Sequence, residues 1–189
     1  ALLMVIISTL MTSITITREK ELGTMEVLLV SPLKPAQIIV GKVLPYLLLS
    51  LLIYIVIILL GLFIFEVPVK GSAMLLMAEG LLYVLMALSL GILISTVSKT
   101  QQTAMMISII GLMLPTILLS GFVFPISNMP KILQYISYII PARYFITSIK
   151  NIMLKGVGIE FIWKESLILT GMIIFFITLS IKKFKLRLE

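Results

Sequence analysis

The 189-residue chain contains no cysteine and no histidine. Without cysteine, the chain has no disulfide, no thiolate nucleophile and no zinc–thiolate site. Without histidine, it lacks the commonest general base and the commonest metal ligand. Acidic residues are also few, at 8 Asp plus Glu, so a carboxylate-based active site has few candidates.

Charge of either sign is scarce. Charged residues make up 12% of the chain and hydrophobic residues 60%, with a mean hydropathy of +1.23, whereas globular proteins are about 25% charged. The core of one domain cannot enclose so much apolar surface, so the composition predicts a membrane protein. It excludes a cytosolic globular enzyme, a disordered tail and a secreted disulfide scaffold. The net charge of +7 does not indicate nucleic-acid binding, because the basic residues are scattered at the ends of apolar runs.

Five apolar runs are long enough, or nearly so, to cross a bilayer core of about 30 Å, which takes about 20 helical residues. They cover residues 1–17, 38–65, 74–97, 104–124 and 166–182. The sequence therefore predicts an all-α membrane protein, with five spans in a single domain over residues 1–189. The first run opens at Ala1 and lacks the basic region and cleavage site of a signal peptide, so we expect the chain to begin inside a longer protein.

Residues 125–155 differ from the spans because Pro125, Pro130 and Pro141 cut them into pieces too short to cross. Each longer piece places isoleucines on one helical face and polar residues away from it. This pattern predicts two short interfacial or re-entrant helices before the last span. Four aromatic residues around this segment fit a belt at the level of the lipid headgroups: Tyr135, Tyr138, Tyr144 and Trp163.

The distribution of Lys and Arg predicts the orientation. If residues 18–37, 98–103 and 182–189 are cytoplasmic, they carry eight basic residues in 34 positions, against six in 49 for 66–73 and 125–165. Cytoplasmic loops are enriched in Lys and Arg. We therefore expect a multi-pass protein of the cell membrane, with residues 18–37, 98–103 and 182–189 on the cytoplasmic side.

The cytoplasmic connection after the first run has its own pattern. Thr17 is a fair N-cap, Glu19 and Glu21 suit a first helical turn, and Pro32 disfavours helix at the residue before it. The sequence thus predicts a short helix over 18–31, which would move as a rigid lever. The alternative is an amphipathic loop helix that rests at the headgroups, but its mixed charge suits a protein partner better than an anionic lipid surface.

The run from residue 19 to residue 46 resembles the signature of permeases of ABC-2 type exporters, and reads EKELGTMEVLLVSPLKPAQIIVGKVLPY. The family pattern is an acidic residue, Gly-Thr-x-Glu-x-Leu, then Ser-Pro, then Gly-Lys and Pro-Tyr. The residues that match in order are Glu21, Gly23, Thr24, Glu26, Leu28, Ser31, Pro32, Gly41, Lys42, Pro45 and Tyr46. Residues 139–158, IIPARYFITSIKNIMLKGVG, are similar to the family's segment before the last span.

The resemblance implies a permease subunit that is not itself an enzyme. In the family, two permease chains or halves pair with two separate ABC ATPase subunits, which bind ATP-Mg. A coupling helix docks into each ATPase. It would comprise Arg18, Glu19, Lys20, Glu21, Gly23, Thr24, Glu26 and Leu28 here. Family members have six spans and a large extracytoplasmic domain after the first, so we expect this chain to lack the first span and that domain.

No phosphate-binding motif of the GxxxxGK[ST] kind occurs, so we expect no ATP hydrolysis and no bound cofactor or metal in this chain. The expected partners are an ABC ATPase, a second permease chain and membrane lipid, with no nucleic acid. Two other classes stay open. One is a membrane assembly or scaffold subunit that transports nothing. The other is an intramembrane enzyme, which is the weakest because the spans offer only Glu79 as a polar candidate.

Three further residues are candidates for a pathway or for packing. Glu79 lies inside the third run, where an ionised carboxylate is costly. It is expected to contact a substrate or ion, to pair with a basic residue on another span, or to reach the outer interface. Pro141 opens the second short helix, and Arg143 follows it, either to anchor that helix to headgroups or to pair with Glu160 or Glu165.

Some residues have a simpler expected role in packing or in reaching the membrane surface. Lys42 lies close enough to the inner membrane surface to extend its ammonium group there. Glycines inside the runs, including Gly61, Gly80, Gly91 and Gly111, mark either hinges or close helix contacts, and the absence of a strict GxxxG pair favours close contacts.

Overall fold

The computed structural model describes residues 1–24, 35–121 and 123–185. All the regular secondary structure in these residues is helical. The described residues form seven α-helices: α1 Leu2–Glu21, α2 Pro35–Phe63, α3 Ala73–Val97, α4 Gln101–Leu119, α5 Lys131–Ser137, α6 Pro141–Lys150 and α7 Ile159–Lys185. A 3-10 turn, Ile126–Asn128, precedes α5, and a π-helical turn, Asn151–Lys155, follows α6.

The prediction of five spans is confirmed: α1, α2, α3, α4 and α7 are each long and apolar enough to cross a membrane. Several helix boundaries differ from the predicted ones, and two of the differences have a local cause. α4 ends at Leu119 because Gly121 takes a left-handed φ of 77°, which does not continue a right-handed helix. α7 begins at Ile159, seven residues before the predicted start, and Glu160 in its first turn suits the positive end of the helix dipole.

Hydrogen bonds between side chains fix how α1 runs relative to its neighbours. Ser8 bonds to Ser50 and Thr15 to Tyr46, both at 2.7 Å, so α1 and α2 are antiparallel. Thr9 donates to the carbonyl of Ala87 in α3, and residues further along α1 meet residues further along α3, so these two helices are parallel. The first three spans thus run in alternating directions.

Helix α3 occupies the centre of the bundle. It packs against α1, α2 and α7, and its apolar core residues include Tyr83, Val84 and Met86, which are fully buried. The Tyr83 ring stacks on Phe145 of α6 with the centroids 4.0 Å apart. The short helix α6 is therefore anchored to the most buried span.

Two of the predicted close glycine contacts are present in α3. A methyl group added at Gly91 would lie 2.8 Å from both the Thr12 Cβ and the Thr9 carbonyl oxygen of α1, and one added at Gly80 would overlap the Tyr54 ring. Small residues allow helix backbones to approach in this way. Among the described residues, a methyl group added at Gly61 or Gly111 would meet no atom of another helix within 4 Å, so no close helix contact is present there.

The two short helices predicted within residues 125–155 are present as α5 and α6. In α6 and the π-helical turn after it, the apolar residues Phe145, Ile152 and Met153 are buried. Tyr135 and Trp163 are exposed, as an aromatic belt requires, but Tyr144 is not. Its hydroxyl donates to the carbonyl of Tyr138 at 2.8 Å, and burial raises the pKa of this phenol. The prediction that Tyr144 belongs to the aromatic belt is therefore wrong.

The predicted start of the coupling helix at Thr17 is wrong. Helix α1 continues without a break to Glu21, and Thr17 is fully buried inside it. The helix ends where Gly23 adopts a left-handed φ of 72°, the usual conformation just beyond a helix C-terminus. Arg18 to Glu21 thus form the last turn of a span. Residues 25–31 of the predicted helix, with Glu26 and Leu28, lie outside the described residues.

Candidate functional site: the predicted cytoplasmic end of the bundle

The last turn of α1 is bound to α2 by an ion pair. The Lys42 ammonium donates to the Glu19 carboxylate at 2.6 Å, and both side chains are about a quarter exposed. The Thr24 hydroxyl also donates to the Glu19 carboxylate, which ties the chain just beyond α1 back to its last turn. Lys42 therefore pairs within the chain, which is a different role from the one expected for it at the membrane surface.

The next two residues of α1 bind two other helices. The Lys20 ammonium donates to the carbonyl of Ser95 near the end of α3. The Glu21 carboxylate accepts hydrogen bonds from the backbone amide of Gln101, at 2.9 Å, and from its side-chain amide, at 3.1 Å. Gln101 is the first residue of α4, so an anion lies where the helix dipole favours one.

Three consecutive residues, Glu19, Lys20 and Glu21, thus attach the end of α1 to α2, α3 and α4 respectively. We call this set of contacts the α1 clamp. An α-helix advances 100° per residue, so successive side chains point in different directions and reach different neighbours. These three residues belong to the first part of the segment 18–31, which the sequence predicts to be the coupling element.

The other predicted coupling residues differ in their placement. Arg18 is exposed on the last turn of α1, and Thr24 is exposed just beyond it. Gly23 ends the helix, and its positive φ gives a structural reason for glycine at this position.

Sequence reasoning missed the partners of the α1 clamp. The sequence indicates Lys42 only as a residue that reaches the membrane surface. It does not indicate Ser95 or Gln101, because a backbone carbonyl and a helix-start amide have no sequence signature of binding. The partners Ser95 and Gln101 lie 75 and 80 residues from their clamp residues in the chain, so only the packing of the helices reveals them.

Glu79 is buried among helices near the other end of α3. Its side chain is 3% exposed, so the expectation that it reaches the outer interface is wrong within this chain. The Ser166 hydroxyl of α7 donates to one carboxylate oxygen, and the other oxygen has no hydrogen-bond partner among the described atoms. No lysine or arginine within the described ranges forms an ion pair with it.

Arg143 and Pro141 belong to the same short helix. Pro141 is at the first position of α6, where its fixed φ suits the helix start. The Arg143 guanidinium donates to the Ser137 hydroxyl and lies 4.2 Å from the centroid of the Tyr138 ring. It forms no ion pair with Glu160 or Glu165 in the described part of the chain. Arg143 therefore joins α6 to the end of α5.

An apolar groove of about 590 Å³ lies between the C-terminal half of α4 and the start of α5. Its lining includes Leu114, Leu118, Phe124, Pro130 and Leu133. Over residues 1–24, 35–121 and 123–185, no group of three or more acidic, histidine or cysteine side chains is placed to hold a metal ion.

Comparison with known protein families identifies the family of this chain. The profile described as "ABC-2 family transporter protein" matches residues 1–182, almost the whole chain. The chain belongs to the ABC-2 transporter family. With its five apolar helices, this ABC-2 chain is a multi-pass protein of the cell membrane. No solved structure matches it.

Individual relatives agree with the family assignment. The chain is 35% identical over 188 residues to the "Probable multidrug ABC transporter permease YbhS" of Escherichia coli K12, covering 100% of this chain and 50% of the relative. It is 37% identical over 156 residues to the permease YbhR of the same strain, covering 82% and 42% respectively. It is 29% identical over 172 residues to "ABC transporter G family member 20" of Dictyostelium discoideum, covering 90% of this chain and 23% of the relative. The ABC-2 chain thus spans about half the length, or less, of the curated relatives it matches.

Proposed function

We propose that the chain is part of the permease of an ATP-driven ABC exporter, and that a separate ATPase subunit drives it. The family assignment supports this, as do the names of the two Escherichia coli relatives, which are both permeases. In this proposal the ATPase binds ATP-Mg, and this chain conducts a substrate outward across the membrane. A second permease chain completes the pathway, and lipid surrounds the spans.

The α1 clamp is the observation that carries the proposed coupling mechanism. Because Glu19, Lys20 and Glu21 each bind a different helix, a displacement of the end of α1 acts on α2, α3 and α4 together. The ATPase would push on the segment that follows Thr24. The clamp would then convert that local push into a movement of four spans.

The short helices would act at the opposite end of the pathway. α6 is stacked on α3 through Phe145 and Tyr83, so a movement of α3 also reaches the segment 125–155. In this proposal α5 and α6 close the outer end of the pathway between two permease chains. ATP binding would shift α3 and thereby open that end.

A photocrosslinking experiment tests contact between this chain and an ATPase. Since the chain contains no cysteine, Thr24→Cys introduces a single thiol, which can be labelled with a benzophenone maleimide without first replacing native cysteines. Lys131→Cys is the matched control, because Lys131 is also exposed but lies at the start of α5, at the other end of the bundle. Each labelled variant is irradiated separately in membranes that contain the cognate ABC ATPase.

The proposal expects a crosslink to the ATPase from position 24 and none from position 131. It also expects the yield at position 24 to change when ATP is added, since ATP binding closes the ATPase pair. Equal yields at the two positions would refute the coupling contact. That result would instead fit the non-transporting scaffold subunit that the sequence also allows.

A further inference from the structure

A second polar site lies inside the bundle, near the end opposite the α1 clamp. It consists of Glu79 on α3, Ser148 on α6, and Glu165 and Ser166 on α7; we call it the buried carboxylate site. Glu79 is six residues from the start of α3, about 9 Å along the helix axis. Glu79 is buried and Glu165 is half-buried, and charge is costly inside a membrane protein.

The hydrogen bonds of this site are incomplete. Ser166 has one hydroxyl proton, but its oxygen lies within hydrogen-bond distance of both the Glu79 carboxylate and the carbonyl of Ile162. The Ser166 hydroxyl can donate to only one of these acceptors at a time. Whenever it bonds to Ile162, the Glu79 carboxylate loses this donor.

Three more buried oxygen atoms at this site have no partner in the described structure: Glu79 Oε2, Glu165 Oε2 and Ser148 Oγ. Ser148 is fully buried, and its hydroxyl is close enough to act on the Glu79 carboxyl. Glu165 is also close enough to act on Glu79, as a charge of the same sign. Buried polar atoms are normally paired. Even if the Ser148 hydroxyl donates to Glu79, Glu165 Oε2 keeps no partner, and no ion pair in the described residues offsets the charge of the two carboxylates. The site therefore points to a missing positive partner.

We propose that the buried carboxylate site binds one small cation. All its ligands are oxygen atoms from carboxylates and hydroxyls, which suit hard metal cations and also accept charge-assisted hydrogen bonds from a protonated primary amine. One positive charge offsets the repulsion between Glu79 and Glu165 and supplies the partner that the unpaired oxygens lack. The site joins α3, α6 and α7, so a bound cation holds these three helices together. This inference does not depend on the proposed export function, because cation binding requires no ATPase.

Equilibrium binding to the purified full chain in detergent tests the site. Isothermal titration is carried out separately with NaCl, KCl, MgCl₂, CaCl₂ and n-butylammonium chloride. Choline chloride keeps the ionic strength constant, since its quaternary nitrogen has no N–H donor. The metal salts and the amine distinguish the two sources of positive charge. Glu79→Gln keeps the size of the side chain and removes its charge.

At least one of these cations should bind saturably with one site per chain. Glu79→Gln should weaken its affinity about thirtyfold or more, because it removes a buried charge partner. Glu165→Gln should weaken it in the same direction. Glu160→Gln is the matched control: Glu160 is an exposed glutamate of the same helix, and its substitution should leave the affinity unchanged.

A measurement of thermal stability keeps the test decisive. In cation-free choline buffer, Glu79→Gln should be at least as stable as the wild type, because it removes an unpaired buried charge. The saturating cation should raise the unfolding temperature of the wild type only. The proposal is overturned if no cation binds the wild type, or if Glu79→Gln responds to cations as the wild type does.

Discussion

Glu19 and Lys42 form an ion pair of 2.6 Å that joins the last turn of the first described span to the first part of the second, across 23 residues of sequence. It is the only ion pair among residues 1–24, 35–121 and 123–185 for which the structure gives a geometry. Its neighbours Lys20 and Glu21 extend the same set of contacts to α3 and α4. The few charges of this apolar chain are thus used, in part, to hold the ends of its helices together.

The first prediction concerns the energy of this pair. Glu19→Gln and Lys42→Gln should each lower the free energy of unfolding by about 0.5–1 kcal/mol, since both side chains are partly solvated. The double variant should lose less than the sum of the two single losses. A double-mutant cycle in a denaturing-detergent titration measures this difference. Strictly additive losses would show that the pair contributes no coupling energy.

The second prediction concerns the close approach of α1 and α3. Gly91→Ala should destabilise the chain by about 1–3 kcal/mol, because the new methyl group meets the Thr12 side chain and the Thr9 backbone at 2.8 Å. Gly171→Ala is the matched control, since nothing lies within 4 Å of a methyl group there. Alanine at that site should be neutral or should stabilise α7 by up to about 1 kcal/mol. Equal unfolding transitions for the two variants would contradict the described packing.

The third prediction concerns the start of α4. Glu21→Ala removes the acceptor of the Gln101 amide and the negative charge at the helix N-terminus. The free energy that stabilises the start of α4 should fall by about 0.5–1 kcal/mol. This corresponds to roughly two- to fivefold faster exchange of the Gln101 amide. Hydrogen exchange followed by mass spectrometry measures it. Glu160→Ala, in the first turn of α7, should leave exchange at Gln101 unchanged, and a similar effect from both variants would argue against a specific contact.

The spans could be predicted from the sequence because length and apolarity are properties of continuous stretches. The C-terminal end of α1 could not be predicted in this way, because the last turn of the helix is polar. Thr17 has the residue type of a helix cap, but buried inside the bundle it continues the helix, and contacts with α2, α3 and α4 hold the turn beyond it. The local preference for a cap is overridden by tertiary contacts.

The buried carboxylate site also depends on tertiary contacts and could be predicted only in part. Glu79 is conspicuous in an apolar run, so the sequence indicates it directly. Ser148 and Ser166 are not, since single serines are ordinary in membrane helices. Ser166 is 87 residues from Glu79, and only the packing of α7 against α3 brings them together.

The central claim is that the α1 clamp transmits the action of the ATPase to the spans. It is tested most directly by the rate at which the cognate ATPase hydrolyses ATP in proteoliposomes containing Glu19→Lys, Lys42→Glu or both substitutions. Each single variant places like charges together, and should lower the permease-stimulated rate about fivefold if the coupling loses about 1 kcal/mol. The double variant restores an ion pair and should recover most of the rate. Single variants with the wild-type stimulated rate, or a double variant as impaired as the single ones, would contradict the account.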